Sequence, residues 1–96
     1  MTKELDSLSI TSELIRAARA LLRWSQGDLA RVSRISVPTI KRLEGLPGVL
    51  SAHSSTVTAL RRALESGGIE FTNGSAPGVR LRTDPKKKDP GNGPGP

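Results

Sequence analysis

Residues 26–45, which read QGDLARVSRISVPTIKRLEG, decide the fold of this chain. They predict two short helices joined by a tight turn, because a capping serine stands before each segment. Ser25 has Asp28 three residues after it, the spacing of a capping box, and Ser36 precedes Pro38, whose missing N–H is tolerated in a first helical turn. Apolar residues recur at the spacing of one buried helical face: Leu29, Ala30, Val32, Ile35, Ile40 and Leu43. Two helices held at a sharp angle by a short turn form a helix-turn-helix.

The chain is short and lacks the residues that most catalytic and metal sites use. Its 96 residues predict one small domain without a large catalytic cleft. There is no cysteine, and His53 is the only histidine, so thiolate chemistry and cysteine or histidine metal sites are not expected. We therefore expect a protein that is not an enzyme and that holds no cofactor or metal.

No apolar run approaches the length of a membrane span, and the N-terminus MTKELDSLSI lacks the apolar core of a signal peptide. We therefore expect a soluble cytoplasmic protein without a membrane partner.

The basic residues concentrate in the middle of the chain. Fifteen lysines and arginines stand against nine acids, for a formal net charge of +6. Residues 11–82 hold eleven basic and five acidic side chains, which accounts for the whole excess, and ten of the eleven are arginines. Arginine suits paired hydrogen bonds to phosphates and guanine edges, so this balance indicates a nucleic-acid partner. A generic solvated basic surface has the same composition.

Composition and periodicity divide the chain into an arm, a domain and a tail. Residues 1–10 are predicted to be a flexible arm, residues 11–82 the folded domain, and residues 83–96, TDPKKKDPGNGPGP, a disordered tail with nothing to bury. A first helix is expected from residue 11 or 12 to about Trp24. Its apolar positions are Leu14, Ala17, Ala18, Leu21 and Leu22. A fourth helix is expected to start near residue 55 or 56 and to end at the glycine pair 67–68.

After the fourth helix the hydrophobic pattern changes to the alternation of β-strands. Ile69 and Phe71 alternate with polar residues, and Val79 and Leu81 do so after a turn candidate at residues 73–78. This pattern predicts a C-terminal β-hairpin. The hairpin either covers the open side of the helical core or pairs its free edge with a second copy to form a homodimer.

The chain resembles the XRE class of helix-turn-helix proteins, whose pattern is roughly Q-x-x-L-A-x-x-x-G-V-S-x-x-x-I-x-x-x-E. The residues that carry the resemblance are Gln26, Leu29, Ala30, Ile35, Ser36, Ile40, Glu44 and Gly45. The match spans about residues 11–66, so the hairpin and the tail lie outside it. The resemblance implies a mainly α, lambda-repressor-like (Cro/cI-type) four-helix domain that binds double-stranded operator DNA.

The resemblance also implies roles for three residues behind the second helix of the motif, which is called the recognition helix because it contacts DNA bases. Gln26 matches a glutamine that often bonds a backbone phosphate and braces this helix. Arg19 and Glu44 match positions that form a largely buried salt bridge in some relatives. Such a pair would lock the recognition helix, because losing one partner strands a charge. The alternative for Arg19 is an exposed arginine whose pairing contributes little.

The second helix of the motif would present a mostly polar and basic surface to DNA. The candidate contact residues are Ser36, Val37, Pro38, Thr39, Lys41 and Arg42, together with Arg34 in the turn. Arg42 is the candidate for paired bonds to a guanine edge. Thr39 suits a phosphate or a thymine methyl, and Lys41 and Arg34 suit phosphates.

Two positions depart from the family pattern. Arg34 stands where the family usually has glycine, and a side chain there disfavours a left-handed backbone, which predicts a reshaped turn. Val37 and Pro38 occupy positions where relatives commonly place polar side chains that contact bases. Apolar groups there can touch a thymine methyl, or they can form the centre of a protein-binding surface.

Three functions fit this sequence. The first, which we take as the prediction, is a transcriptional regulator that acts by occupying an operator. The second is an antiactivator, in which the same fold binds and inhibits a transcription factor. The third is an antitoxin, which would combine operator binding with a toxin partner. A fold fixes a shape and not a function, so all three stay open at this point.

Overall fold

A computed structural model of the protein describes residues 10–72 and 76–82. Within these ranges the chain forms four helices and then a two-stranded antiparallel sheet. The elements are α1 (Ser12–Leu22), α2 (Gln26–Ser33), α3 (Val37–Glu44), α4 (Ser54–Ser66), β1 (Ile69–Thr72) and β2 (Gly78–Leu81). The predicted mainly helical class with a C-terminal hairpin is confirmed. None of the described helices has the length and apolar character needed to cross a lipid bilayer.

Side-chain caps start the first three helices, as the sequence predicts for two of them. The Thr11 hydroxyl accepts from the Leu14 N–H at 3.1 Å and caps α1. The capping box of α2 is complete, since Ser25 Oγ accepts from the Asp28 N–H at 3.0 Å and Asp28 Oδ2 accepts from the Ser25 N–H at 2.9 Å. Ser36 likewise caps α3. These bonds satisfy N–H groups that a helix start leaves free.

The fourth helix starts earlier than predicted. It begins at Ser54, and His53 takes the capping position without a side-chain hydrogen bond to the helix. The three hydroxyl residues 54–56 all lie inside the helix, so no capping side chain marks where it starts. Its end is as predicted, because Gly67 terminates the helix and Gly68 follows with φ +114°.

Both α1 and α2 end at an arginine in the left-handed conformation. Arg23 has φ 60° and ψ 38°, and Arg34 has φ 66° and ψ 19°. The left-handed bend at Arg23 stops α1 at Leu22, two residues before the predicted Trp24. The expected reshaping of the turn after α2 is wrong, because Arg34 itself adopts the backbone that glycine favours. A residue with a Cβ accepts this conformation at a cost of about 1 kcal/mol.

One hydrophobic core lies between the helices and the hairpin. Its buried members are Ile10, Ile15, Ala18, Leu29, Ile40, Leu43, Leu50, Val57, Leu60, Ala63, Leu64 and Ile69. The predicted stripe of α1 is partly wrong, since Ala17 and Leu21 are exposed while Ile15 is buried. The buried line runs from Ile15 through Ala18 to Leu22, and Leu21 lies about 100° away from its neighbour around the helix. Val32, predicted to face inward, is 40% exposed.

The N-terminal edge of the domain begins one residue before the predicted boundary. Ile10 was assigned to the arm, but its side chain is buried and its carbonyl accepts from the Leu50 N–H at 3.0 Å. Thr11 pairs with Val49 in an isolated antiparallel bridge. The loop before α4 is therefore tied to the start of α1. The rest of the predicted arm, residues 1–9, and the predicted tail, residues 83–96, lie outside the described residues.

The hairpin has the predicted register and packs on the helices. Ile69 pairs with Leu81 and Phe71 with Val79. Ile69 is buried, and Phe71 and Val79 are half-buried against the core. The hairpin thus covers one side of the helical core; pairing with a second copy stays a prediction. Part of the predicted turn, residues 73–75, lies outside the described residues.

We expect Gly68→Ala to destabilise the fold. Gly68 has φ +114°, and a Cβ there would meet Leu81 Cδ1 at 3.2 Å, so alanine would force strain between α4 and the hairpin. Strain of this kind costs about 1–3 kcal/mol, which corresponds to a loss of at least about 4 °C in Tm. Thermal unfolding followed by circular dichroism measures it.

Gly27→Ala is the matched control for this prediction. Gly27 lies in the first turn of α2, where a Cβ would only touch Ser25 Oγ at 3.5 Å. Alanine favours helices over glycine, so its Tm should hold or rise. Equal Tm values for the two variants would contradict the assignment of strain to Gly68.

Candidate nucleic-acid interface

The last residue of α3 is held by an ion pair with α1. Glu44 is 5% exposed, and Arg19 is 19% exposed. Arg19 Nη2 donates to Glu44 Oε1 at 2.7 Å, and Arg19 Nε donates to Glu44 Oε2 at 2.8 Å. The two bonds form the fork that a guanidinium makes with a carboxylate, which fixes orientation as well as distance. The structure therefore brings together the two side chains that the resemblance pairs.

Two more side chains complete the environment of Glu44. Gln26 Nε2, at the start of α2, donates to Glu44 Oε1 at 2.9 Å. Arg16 Nη1 donates to the Glu44 carbonyl at 2.6 Å, and Arg19 Nη1 donates to the Trp24 carbonyl at 2.9 Å. We call Arg16, Arg19, Gln26 and Glu44 the Glu44 cluster. It joins α1, α2 and α3 at one point.

The Glu44 cluster brings Gln26 to Glu44 and adds Arg16. Gln26 donates one amide N–H to Glu44, a contact that braces α3, and its phosphate contact stays a prediction. No role was predicted for Arg16. Its position three residues before Arg19 places both on one face of α1, and that spacing was the available signal.

Burial of Glu44 by itself raises the pKa of this carboxyl, but its partners outweigh burial. The hydrogen bonds from Arg19 and Gln26 and the charges of Arg19 and Arg16 leave the pKa of Glu44 below its ordinary value near 4.5. The same contact raises the pKa of Arg19, because its hydrogen bond to Glu44 outweighs its own desolvation. Glu44 is therefore charged at neutral pH, and its charge is fully compensated inside the fold.

The two faces of α3 differ in chemistry. Ile40 and Leu43 are buried in the core. The candidate contact residues on the other side are exposed or half-buried: Ser36, Val37, Pro38, Thr39, Lys41 and Arg42. Ser36 Oγ donates to Thr39 Oγ1 at 3.0 Å, which keeps these two hydroxyls on the helix start. Among the described residues, neither Lys41 nor Arg42 has an acidic partner.

An open cleft of about 500 Å³ adjoins this face. It is lined by Thr39, Arg42, Ser51, Ala52, His53 and Thr56. His53 is exposed at the rim of this cleft, directly before the start of α4. A cation and several hydroxyls around one cleft can donate hydrogen bonds to an anion. Within the described ranges, no three His, Cys, Asp or Glu side chains come together as a metal site.

Comparisons with known proteins leave the geometry as the basis for a function. Scans against protein-family models and curated proteins found no match to this chain. What the arrangement can do is hold one helix firmly from behind while its front side, with Lys41 and Arg42, stays open to an anionic partner.

We expect Glu44→Gln to lower the free energy of unfolding by about 3 kcal/mol at pH 7, because it leaves Arg19 without its anionic partner and replaces an acceptor with an amide donor. The folded-state pKa of Glu44 is depressed, so its contribution is present above pH 4.5 and is lost as the pH falls through the lower folded value. The stability of the wild type should therefore approach that of Glu44→Gln below pH 4.5. Urea unfolding at a series of pH values measures this.

Glu65→Gln serves as the control, since Glu65 pairs with Arg61 at 3.1 Å on the surface of α4. This half-buried pair, at the (i, i+4) spacing of a single helix, should contribute less than about 1 kcal/mol. If both variants lose the same stability, the Glu44 cluster does not lock α3.

Proposed function

We propose that this chain is a DNA-binding transcriptional regulator of the XRE type, with a lambda-repressor-like fold, which acts in the cytoplasm by occupying an operator. The observation that carries the proposal is the division of α3 into a braced inner side and a free cationic outer side. DNA readers of this kind place their second motif helix in the major groove, where side chains on its outer face reach base edges.

The inner side of α3 supports this function because it holds the helix in one orientation. Ile40 and Leu43 are buried, and the Glu44 cluster ties the end of the helix to α1 and α2. A reading helix must keep its side chains in register with base pairs, and ordering a mobile helix on binding would reduce affinity.

The charge on the outer side of α3 supports DNA binding because the cations there are not paired with acids of the described part of the chain. On other elements several arginines are already paired with acids: Arg31 with Asp28 at 3.5 Å, Arg61 with Glu65 at 3.1 Å and Arg80 with Glu70 at 3.0 Å. Lys41 and Arg42 lie exposed on α3 and have no such partner among the described residues. We assign Arg42 to a guanine edge and Lys41 to a phosphate.

We expect Arg42→Ala to weaken binding to the operator by about tenfold or more, since one paired contact to a guanine contributes about 1–3 kcal/mol of discrimination. Fluorescence anisotropy with labelled fragments of the chain's own promoter region measures the affinity. The control is Arg80→Ala, which removes the same charge from the hairpin, where Arg80 already pairs with Glu70. Arg80→Ala should leave the preference for the operator over random duplex unchanged.

NMR titration of labelled protein with the same fragments locates the contact. Shifts should concentrate on residues 36–42 and fade as salt rises, because phosphate contacts release counterions. If no promoter fragment binds better than random duplex at about 150 mM salt, operator occupancy is wrong.

A second candidate function, the antiactivator, is favoured by the start of α3. Val37 is 37% exposed and Pro38 is exposed beside it, while Val32 before the turn is 40% exposed. Apolar groups at these positions provide no hydrogen bonds to bases, and they suit the apolar centre of a protein interface with arginines at its rim. The partner would be a transcription factor that the chain inhibits.

We expect Val37→Asp to abolish capture of a transcription factor from a native cell extract if the antiactivator is correct, because a buried unpaired carboxylate disrupts an apolar interface. Val49→Asp is the control, since Val49 is 60% exposed in the loop before α4. A wild-type protein that recovers no transcription factor would count against this candidate.

A further inference from the structure

Two arginines occupy strained backbone positions and have no partner in the described part of the chain. Arg23 ends α1 with φ 60°, and Arg34 ends α2 with φ 66°; both side chains are exposed. Within residues 10–72 and 76–82, neither guanidinium donates a hydrogen bond or joins an ion pair. By contrast, Arg16 donates a hydrogen bond to the Glu44 carbonyl, and Arg19 forms a hydrogen-bonded ion pair with the Glu44 side chain. These are also the only non-glycine residues with positive φ in those ranges.

Neither position needs an arginine for the fold. Left-handed helix ends are the usual place for glycine, which has no Cβ to clash with the backbone. The left-handed backbone occurs at both arginines, and within the described ranges neither side chain makes a hydrogen bond or ion pair that would offset the strain. Strain of this kind is found where a site requires a particular side chain.

We infer that Arg23 and Arg34 are phosphate anchors that contact the DNA backbone on either side of α2; this inference rests on the proposed function and adds Arg23 to it. Arg23 ends α1 three residues before the start of α2 at Gln26, and Arg34 follows Ser33 at the end of α2. The charges of the two arginines therefore bracket one helix.

The position of α2 fits this role. In a helix-turn-helix the first helix of the motif crosses the DNA backbone while the second lies in the major groove. The eight residues of α2 span about 12 Å, so cations before and after it lie on either side of the strand that it crosses, near phosphates of that strand. Asp28, the acid on α2, does not oppose them, because its carboxylate accepts from the Ser25 N–H and pairs with Arg31.

The test compares Arg23→Gly, Arg34→Gly and the double variant on a random-sequence duplex, with affinity measured by anisotropy from about 50 to 200 mM salt. Each arginine that meets a phosphate contributes about 0.9 to the slope of log K against log salt concentration, so each variant should lower the slope by about one and the double variant by about two. Tm should hold or rise by a few degrees in each variant, because glycine relieves the strain.

Two controls separate charge from geometry. Arg62→Ala removes an exposed arginine from α4 and should leave the slope unchanged. Arg34→Lys keeps the charge and the strained backbone, so its slope and its Tm should stay near those of the wild type.

The inference fails if the glycine variants keep the wild-type slope, or if they lose no more than Arg62→Ala. A fall in Tm on substitution with glycine also overturns it, since the arginines would then serve the fold. Operator occupancy is judged separately: a wild type that prefers no promoter fragment over random duplex rejects the regulator while a lowered slope still supports the anchors. A wild type that binds no duplex at about 50 mM salt rejects both.

Discussion

The structure depends on one carboxylate, Glu44, and on the guanidinium that meets it. Three of the helices are eight to eleven residues long, which is too short for an isolated helix to be stable in water. Their arrangement comes from burial and from the Glu44 cluster, where α1, α2 and α3 share hydrogen bonds to one residue. Apolar packing alone would let α3 rotate or slide by small amounts. A forked ion pair at 2.7 and 2.8 Å, with an amide added at 2.9 Å, has one geometry.

The use of an ion pair to fix α3 requires hydrogen-bond partners for the polar atoms around it. Taking Glu44 and Arg19 out of water carries a desolvation penalty, and the pair offsets it only because each remaining polar atom also finds a partner. Gln26 and the Trp24 carbonyl supply those partners. Capping serines, helix ends and the ion pair therefore act together, since Gln26 reaches Glu44 only when the Ser25 cap starts α2 at the right residue.

The sequence alone predicted most of the helices and only part of the candidate site. Local signals were sufficient where a side chain accepts from a backbone N–H three residues further along the chain, as at Ser25 and Ser36. They failed where the backbone decides without a side-chain signature, as at His53, and where the face of a helix depends on its neighbours, as at Leu21 and Val32. Arg19 and Glu44 are 25 residues apart, so no local pattern links them, and family resemblance supplied the pairing. The spacing of Arg16 and Arg19 places them on one face of α1, but it does not identify the acceptor of Arg16, which is the backbone carbonyl of Glu44.

The outer face of α3 carries both apolar and cationic side chains within a stretch of six residues. Val37 and Pro38 open the helix, and Lys41 and Arg42 follow one turn later. In a major groove the first pair would meet thymine methyls and the second pair guanine or phosphate, so the face is compatible with a mixed site. At a protein interface the same cations would lie at the polar rim around Val37 and Pro38, where water still solvates them. The left-handed arginines favour the DNA-binding proposal. They add unpaired charge before and after α2, and a polyanion can meet such widely spaced cations along its whole backbone.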